Sequence, residues 1–244
     1  MSAVLQTLSM LGRETARIVL HATCVACDGP LPWRERIGSC CRNCWEALPV
    51  IQSAKCQSCA LPWSGQDPGY CCGACLTDRL PVDWTEAWGH YRGSLERVLH
   101  AFKFARHDWF SDPLADLLAG TLKARGDLTF DAVTAVPMHR SKLRRRGYNQ
   151  AELLARALSR KMGIPFDGSL LAKTVERSPQ SSLPRSERSG NVRNAFVSRD
   201  AAKGKAILLV DDVSTTGETL RACAKVLGRA GAGRVCAVVV AKTE

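Results

Sequence analysis

Near the C-terminus, "ILLVDDVSTTGETL" (207–220) runs four apolar residues into two adjacent carboxylates, Asp211 and Asp212. Hydroxyls at Ser214, Thr215, Thr216 and Thr219 follow, around Gly217. A helix N-terminus with glycine and hydroxyl neighbours presents backbone N–H groups and Oγ donors to a phosphate. Paired carboxylates beside it accept charge-assisted hydrogen bonds from vicinal hydroxyls, as a ribose offers. A phosphorylated ribose satisfies both halves. The plainer alternative makes Thr215 and Glu218 a capping box, with the aspartates merely favoured near a positive helix end. That accounts for Thr215 and Glu218 and leaves the carboxylate pair without a role.

A second chemistry is carried by cysteine. Ten of the twelve cysteines fall between Cys24 and Cys75, as four CxxC pairs plus Cys40 and Cys71. The pairs are Cys24/Cys27, Cys41/Cys44, Cys56/Cys59 and Cys72/Cys75, and "CVACDGPLPW" is echoed by "CQSCALPW". Two residues between cysteines form a knuckle that aims both thiolates at one ion, and two knuckles complete a tetrahedral zinc sphere. All-thiolate sites of this kind are closed and structural. The expected pairing is sequential, with an interleaved one as the alternative, and Cys40 or Cys71 could stand in for its neighbour. Cys223 and Cys236 sit alone in helix and strand patterns and read as core.

The third group is basic. His139, Arg140, Lys142, Arg144, Arg145 and Arg146 lie between a strand end and a helix, where a pyrophosphate or nucleic-acid backbone would be gripped; a solvated basic turn is the alternative. The net charge of +11 is uneven, since residues 1–80 hold 7 Lys/Arg against 6 Asp/Glu. The excess sits in residues 81–244 and points to a polyanionic partner there. Lys103 and Phe104 could approach a ligand, although a helix with a buried apolar side explains them nearly as well.

The elements that must position these groups follow from periodicity. "WTEAWGHYRG" reads as strand and turn, residues 94–106 and 111–125 as helices, and "FDAVTAVP" (130–137) as a short buried strand. "NQAELLARALSRKMG" (149–163) is a helix closed by glycine, and "AILLV" (206–210) a buried strand. A helix over 216–231 and a last strand, "RVCAVVVA" (234–241), complete the pattern. Apolar runs alternating with helices predict a parallel α/β sheet flanked by helices, whose ligands bind at the carboxyl ends of the strands. Three segments result: an N-terminal helix at 1–23 carrying Leu5, Leu8, Leu11, Ile18 and Val19, a double zinc ribbon at 24–80, and the α/β domain at 81–244. No run of apolar residues is long enough to insert in a membrane, and no secretion signal heads the chain, so a cytoplasmic location is expected.

"ILLVDDVSTTGETL" closely resembles the phosphoribosyl-pyrophosphate (PRPP) fingerprint of type I phosphoribosyltransferases, and no GxxxxGK[ST] of a P-loop NTPase is present. The order of zinc ribbons, "LHAFKFARH", "VPMHRSKLRRRGYNQAELLARAL", "SPQSSLPRSERSGNVRNAF" and the fingerprint is similar to the competence protein F (ComF) family over roughly residues 20–244. The resemblance implies a type I phosphoribosyltransferase-like fold, with Asp211 and Asp212 on the ribose hydroxyls and Ser214 to Thr219 on the 5′-phosphate. It makes Val136, Pro137 and the residues to Arg140 the pyrophosphate loop, and 176–195 a mobile loop over the site. Mg²⁺ would accompany PRPP, and no side chain need act as a nucleophile. It further implies a role in DNA uptake during natural transformation, beside a helicase-like protein. Two functions follow: phosphoribosyl transfer to an acceptor that the sequence does not spell out, or single-stranded DNA binding by Lys142, Arg144, Arg145 and Arg146 with the PRPP site regulatory or a relic.

The cysteine repeat generates the first prediction. Elemental analysis of protein purified without chelator is expected to find two zinc ions per chain, and absence of zinc would refute the ribbon assignment.

Overall fold

The computed structural model of the chain describes residues 23–31, 36–65, 67, 69–104, 108–126, 129–174, 196–198 and 200–244. The expected helix at 1–23, Thr23 apart, and the expected loop at 176–195 lie outside the described residues.

The cysteine segment repeats in structure as it does in sequence. In the first copy, hairpin β1 (Arg36–Ile37) and β2 (Cys40–Cys41) leads into helix α1 (Arg42–Glu46). In the second, β3 (Ala54–Lys55) and β4 (Pro62–Trp63) precede helix α2 (Gly73–Thr77). Units this small bury too little apolar surface to stand alone, and the segment leans on the C-terminal part of the chain. Leu31, Leu48, Ile51 and Leu80 share one buried core with the C-terminal elements.

Those elements are β5 (Thr85–His90), α3 (Gly93–Phe104), α4 (Ser111–Arg125), β6 (Ala132–Ala135), α5 (Arg140–Arg146) and α6 (Gln150–Met162). A small antiparallel hairpin, β7 (Leu171–Lys173) with β8 (Phe196–Ser198), comes next. The chain ends with β9 (Ala206–Ser214), α7 (Glu218–Arg229) and β10 (Arg234–Lys242). Four strands form one parallel sheet in the order β5-β10-β9-β6. Successive strand residues point to opposite faces, yet Ile207 to Val210 and Cys236 to Ala241 are all fully buried. Both faces must therefore be covered, the condition that parallel sheets require. Helices α4 and α6 pack together and against the sheet, while α7 packs on β8, β9 and β10.

The cysteine segment is joined to the edge strand β5 by backbone. Ile51 N–H donates to the Trp88 carbonyl (2.9 Å), His90 N–H to Pro49 (2.8 Å) and Thr85 N–H to Gln57 (2.8 Å). Buried Glu86 of β5 adds ion pairs at 2.6 Å to Lys55 of β3 and to Arg125 of α4. With two cations on one carboxylate, its desolvation is offset where a lone charge would be costly.

Most expected elements form where the periodicity puts them. Helix α6 is capped as its sequence suggests, with the Asn149 side chain accepting from Ala151 N–H and Gly163 ending it at φ 68°. Three differences bear on function. Strand β9 runs on to Ser214, so Asp211 and Asp212 lie within its last residues and not past its end. Helix α7 starts at Glu218 behind Gly217, and no side chain caps it, so the Thr215–Glu218 capping box does not form. The basic stretch after β6 is a seven-residue helix, α5, capped by His139, and not a turn. Its strong helix formers favour a helix over the solvated basic turn that the run of charges suggested as the alternative.

Candidate functional site

At the carboxyl ends of β9 and β6 the sequence changes from apolar to polar on both strands at once. The register pairs Ala135 with Val210, so Val136 and Pro137 leave the sheet beside Asp211 and Asp212. Asp212 is buried and Asp211 half-buried. Each carboxylate accepts from the next amide along: Asp211 Oδ1 from Asp212 N–H (2.9 Å) and Asp212 Oδ1 from Val213 N–H (2.8 Å). Lys103, from the end of α3, brings Nζ to 3.0 Å from Asp212 Oδ2. The angle of that ion pair leaves Oδ2 without a directed hydrogen bond. Burial, and after it the neighbouring Asp212 charge, push the Asp211 carboxyl well above the usual range, against the pull of the Asp212 amide and Lys103.

Beyond the pair, the chain turns through Ser214, Thr215, Thr216 and Gly217 into α7. Thr215, Thr216 and Thr219 are exposed, and Ser214 is buried with its Oγ lacking a hydrogen-bond partner. Gly217 sits at φ 79°, and a Cβ there would come within 3.2 Å of Leu80. Only glycine serves this corner without strain. Below the loop, Lys242 at the end of β10 is 5 % exposed and donates to the carbonyls of Thr215 and Thr243. Burial lowers its pKa, and the nearby sulfurs of the second cysteine cluster act in the opposite direction.

On the β6 side, Val136 N–H donates to the Val210 carbonyl (3.0 Å) and its own carbonyl accepts from Asn149 Nδ2 (3.0 Å). Arg140, Lys142, Arg144 and Arg145 of α5 are exposed, while Arg146 is half-buried. Arg146 donates to Gln150 Oε1 (2.7 Å) and lays its guanidinium 4.8 Å from the ring centre of Phe104. Phe104 is 61 % exposed and meets His100 on a tilted contact of 4.7 Å. Tyr148 and Gln150 fix this end of α3 by donating to the Phe102 carbonyl. The cation face of α5 thus carries an aromatic ring at its border.

The eight paired cysteines gather as two clusters in sequential order, Cys24, Cys27, Cys41 and Cys44, then Cys56, Cys59, Cys72 and Cys75. Within each cluster the sulfurs lie within 4.8 Å of one another. Four sulfurs around zinc at about 2.3 Å stand about 3.8 Å apart, so small side-chain adjustments complete either sphere. Amides point at the leading sulfurs: Cys41 and Ala26 N–H reach Cys24 Sγ at 3.3 and 3.4 Å, and Cys72 N–H reaches Cys56 Sγ at 3.3 Å. Burial works against the Cys24 thiolate, yet these donors bring it down to about 6, and Cys56 to about 7 in the same way. Cys40 Sγ lies 3.9 Å from Cys24 Sγ, outside the foursome, its thiol raised by burial and then by the Cys24 charge.

With this geometry in view, residues 148–244 match the family model described as a phosphoribosyl transferase domain. The chain is 32 % identical to competence protein F of Haemophilus influenzae over 209 residues, spanning 78 % of this chain and 91 % of that protein. The chain belongs to the competence protein F family. A second relative, the DNA utilization protein YhgH of Escherichia coli K12, is 32 % identical over 74 % of this chain and 80 % of its own. Among solved structures, the purine phosphoribosyltransferase of Pyrococcus horikoshii aligns at 20 % identity with a TM-score of 0.35, over 56 % of this chain and 85 % of that one. This member of the family therefore pairs a phosphoribosyltransferase domain with two tetracysteine clusters.

Sequence reasoning left Lys103 undecided and missed Lys242, Arg221 and Leu80 at the loop. The one available signal was Lys242 itself, a charge ending the apolar run "RVCAVVVAK". The aspartate pair generates the second prediction. A carboxyl whose folded pKa is raised stabilises the fold at low pH and loses that contribution as pH climbs from its unfolded value toward the folded one. At neutral pH an ionised Asp211 therefore opposes folding. Asp211→Asn is expected to raise the thermal midpoint of the ligand-free protein at pH 7 and to lessen its fall between pH 5 and 7. A lowered midpoint would refute this reading of the pair.

Proposed function

We propose that the chain binds PRPP at the end of β9 and acts in DNA uptake, as a phosphoribosyltransferase-like protein of the competence F type. The observation that carries the reading is the carboxylate pair on adjacent residues of β9, beside an uncapped helix N-terminus reached through Gly217. Asp211 and Asp212 would accept from the ribose 2′- and 3′-hydroxyls. The amides at the start of α7, with Ser214 Oγ, Thr215, Thr216 and Thr219, would hold the 5′-phosphate. Val136, Pro137 and Arg140 would face the pyrophosphate. Mg²⁺ carried by the pyrophosphate would neutralise the leaving charge. In transfer, the bond from C1 to the pyrophosphate oxygen breaks with its electron pair on pyrophosphate, and the acceptor supplies the new bond to C1 and gives up a proton. The protein's part is positioning and charge stabilisation, with no nucleophilic side chain.

The two clusters are proposed to hold one structural zinc each, and the site of action is proposed to be the cytoplasm. A helicase-like competence protein is the proposed partner.

A second reading rests on α5. Single-stranded nucleic acid is held by positive charge together with aromatic surfaces, and Arg140, Lys142, Arg144 and Arg145 beside the Arg146–Phe104 stack supply both. In this reading the PRPP site regulates DNA binding.

Calorimetry with PRPP and Mg²⁺ tests the first reading. Asp211→Asn, which the fold should tolerate, is expected to weaken binding by about 1.5–3 kcal/mol, the contribution of a hydrogen bond to a charged group. Equal affinity in variant and wild type would remove the ribose assignment. For the second reading, Arg144→Ala with Arg145→Ala is expected to weaken single-stranded DNA binding regardless of sequence. The slope of log affinity against log salt should flatten by about 0.7 per lost contact, with PRPP affinity retained. Arg140→Ala should do the converse, and an unchanged slope in the double variant would exclude α5 from DNA binding.

A further inference from the structure

The two tetracysteine clusters are equivalent in sequence but not in what they touch. In the second, Ser58 lies inside the Cys56–Cys59 knuckle and is fully buried. Its Oγ accepts from Leu80 N–H (3.0 Å) and its carbonyl from Thr85 Oγ1 (2.6 Å). Leu80, so held, is the residue that packs against Gly217. Helix α2, which carries Cys75, ends at Thr77, and the carbonyls of its C-cap Asp78 and of Arg79 beyond it meet α7. Arg221, in the first turn of α7, takes them: it donates to the Asp78 carbonyl (2.8 Å), the Asp78 carboxylate (2.8 Å) and the Arg79 carbonyl (2.9 Å). Its side chain is only 12 % exposed, so these bonds are shielded from solvent. From the opposite side, Lys242 donates to the Thr215 carbonyl. The residues from Thr215 to Arg221 are thereby held at three points, two of which belong to the second cluster's own segment.

The first cluster is tied elsewhere. Arg97 of α3 donates to the Ala26 carbonyl (3.1 Å) and to Asp28 (2.9 Å), and Trp109 Nε1 donates to Ser39 Oγ (3.1 Å). Among the described residues, none of these ties reaches the loop after β9.

We propose that the second tetracysteine cluster braces the 214–219 loop, so that a metal ion on that cluster and a phosphoribosyl ligand on the loop strengthen each other's binding, while the first cluster has no such effect. The physical basis is shared order. A metal that fixes the knuckles fixes Ser58, Leu80 and the end of α2, and through them Gly217 and Arg221. A ligand that needs the loop amides in one arrangement then binds a site already ordered, and coupling between two sites is reciprocal. The ligand arm of this inference rests on the PRPP reading above, whereas the bracing itself does not.

The experiment uses the full chain loaded with zinc and compares Arg221→Ala with Arg97→Ala, each of which cuts one arginine tie to one cluster. Backbone hydrogen exchange over 214–219 is measured without ligand, PRPP with Mg²⁺ is titrated by calorimetry, and zinc release to a chromogenic chelator is timed with and without PRPP. Arg221→Ala is expected to speed exchange in the loop and to weaken PRPP by about tenfold, within the usual range for coupled sites. In wild type, PRPP should slow the release of one zinc ion of the two, and Arg221→Ala should abolish that slowing. Arg97→Ala should behave as wild type in all three measurements. Wild-type exchange rates in the Arg221→Ala loop would overturn the proposal, as would equal effects of the two arginine variants. Should Arg221→Ala fail to fold, Ser58→Ala removes the Leu80 acceptor, together with the Ser58 hydroxyl's hydrogen bond to Cys75, and is read by the same exchange measurement. If wild type binds no PRPP, the function proposed above falls, and loop exchange alone still decides whether the cluster braces the loop.

Discussion

Asp211 and Asp212 stand side by side where β9 leaves the core, and burial and then the neighbouring Asp212 charge oppose ionisation of Asp211. Such a pair persists only when its surroundings hold it in place. The parallel sheet does so first, since β10 pairs with β9 along its length and β6 with Ile207 to Val210 just before the pair. Lys103 offsets part of the charge from α3, and the amides of Asp212 and Val213 occupy one oxygen of each carboxylate. The remaining oxygens, with the partnerless Ser214 Oγ, form a polar patch at the mouth of an apolar sheet. A polyhydroxylated, phosphorylated ligand is chemically suited to it.

The cysteine segment solves a different problem. It is too small for a core of its own, and its two clusters draw stability from thiolate chemistry and from docking on β5. The docking is largely backbone, through Pro49, Ile51 and Gln57, which makes it insensitive to the side chains at the surface. One outcome is that the second cluster's segment lies directly behind the loop after β9. Leu80 illustrates the economy of the arrangement: its amide is bonded to the knuckle of the second cluster and its side chain shapes the corner at Gly217.

Charge is organised on the same principle of adjacency. The excess of Lys and Arg in the C-terminal two thirds could have been a diffuse coat. Much of it is instead spent in specific contacts, such as Arg125 on Glu86, Arg221 on Asp78 and Lys103 on Asp212. Among the described residues, the face of α5, bordered by Phe104, stays concentrated and exposed. Only the Val136–His139 connection separates it from the end of β6, which pairs with β9.

Much of this protein was legible in residue order alone. The CxxC repeat set the two clusters, because ligand geometry fixes the spacing within a knuckle whatever the surroundings. The apolar runs and helical periods set the parallel sheet, because burial on both faces leaves no alternation to misread. The aspartate pair and the hydroxyl-rich loop marked the candidate site on which the proposed function rests, because ligand donors of those types cluster locally. Residue order could not say where β9 ends, since a strand's last pairs depend on whether its neighbours extend as far, and β10 does. It could not choose between a capping box and an open helix start, since the positive φ of Gly217 is set by the corner against Leu80, a residue 137 positions earlier. Nor could it bring Lys242, Arg221 and Ser58 to one loop, or Phe104 to Arg146. Those contacts join distant parts of the chain, and only the packed tertiary structure brings such parts within hydrogen-bonding reach.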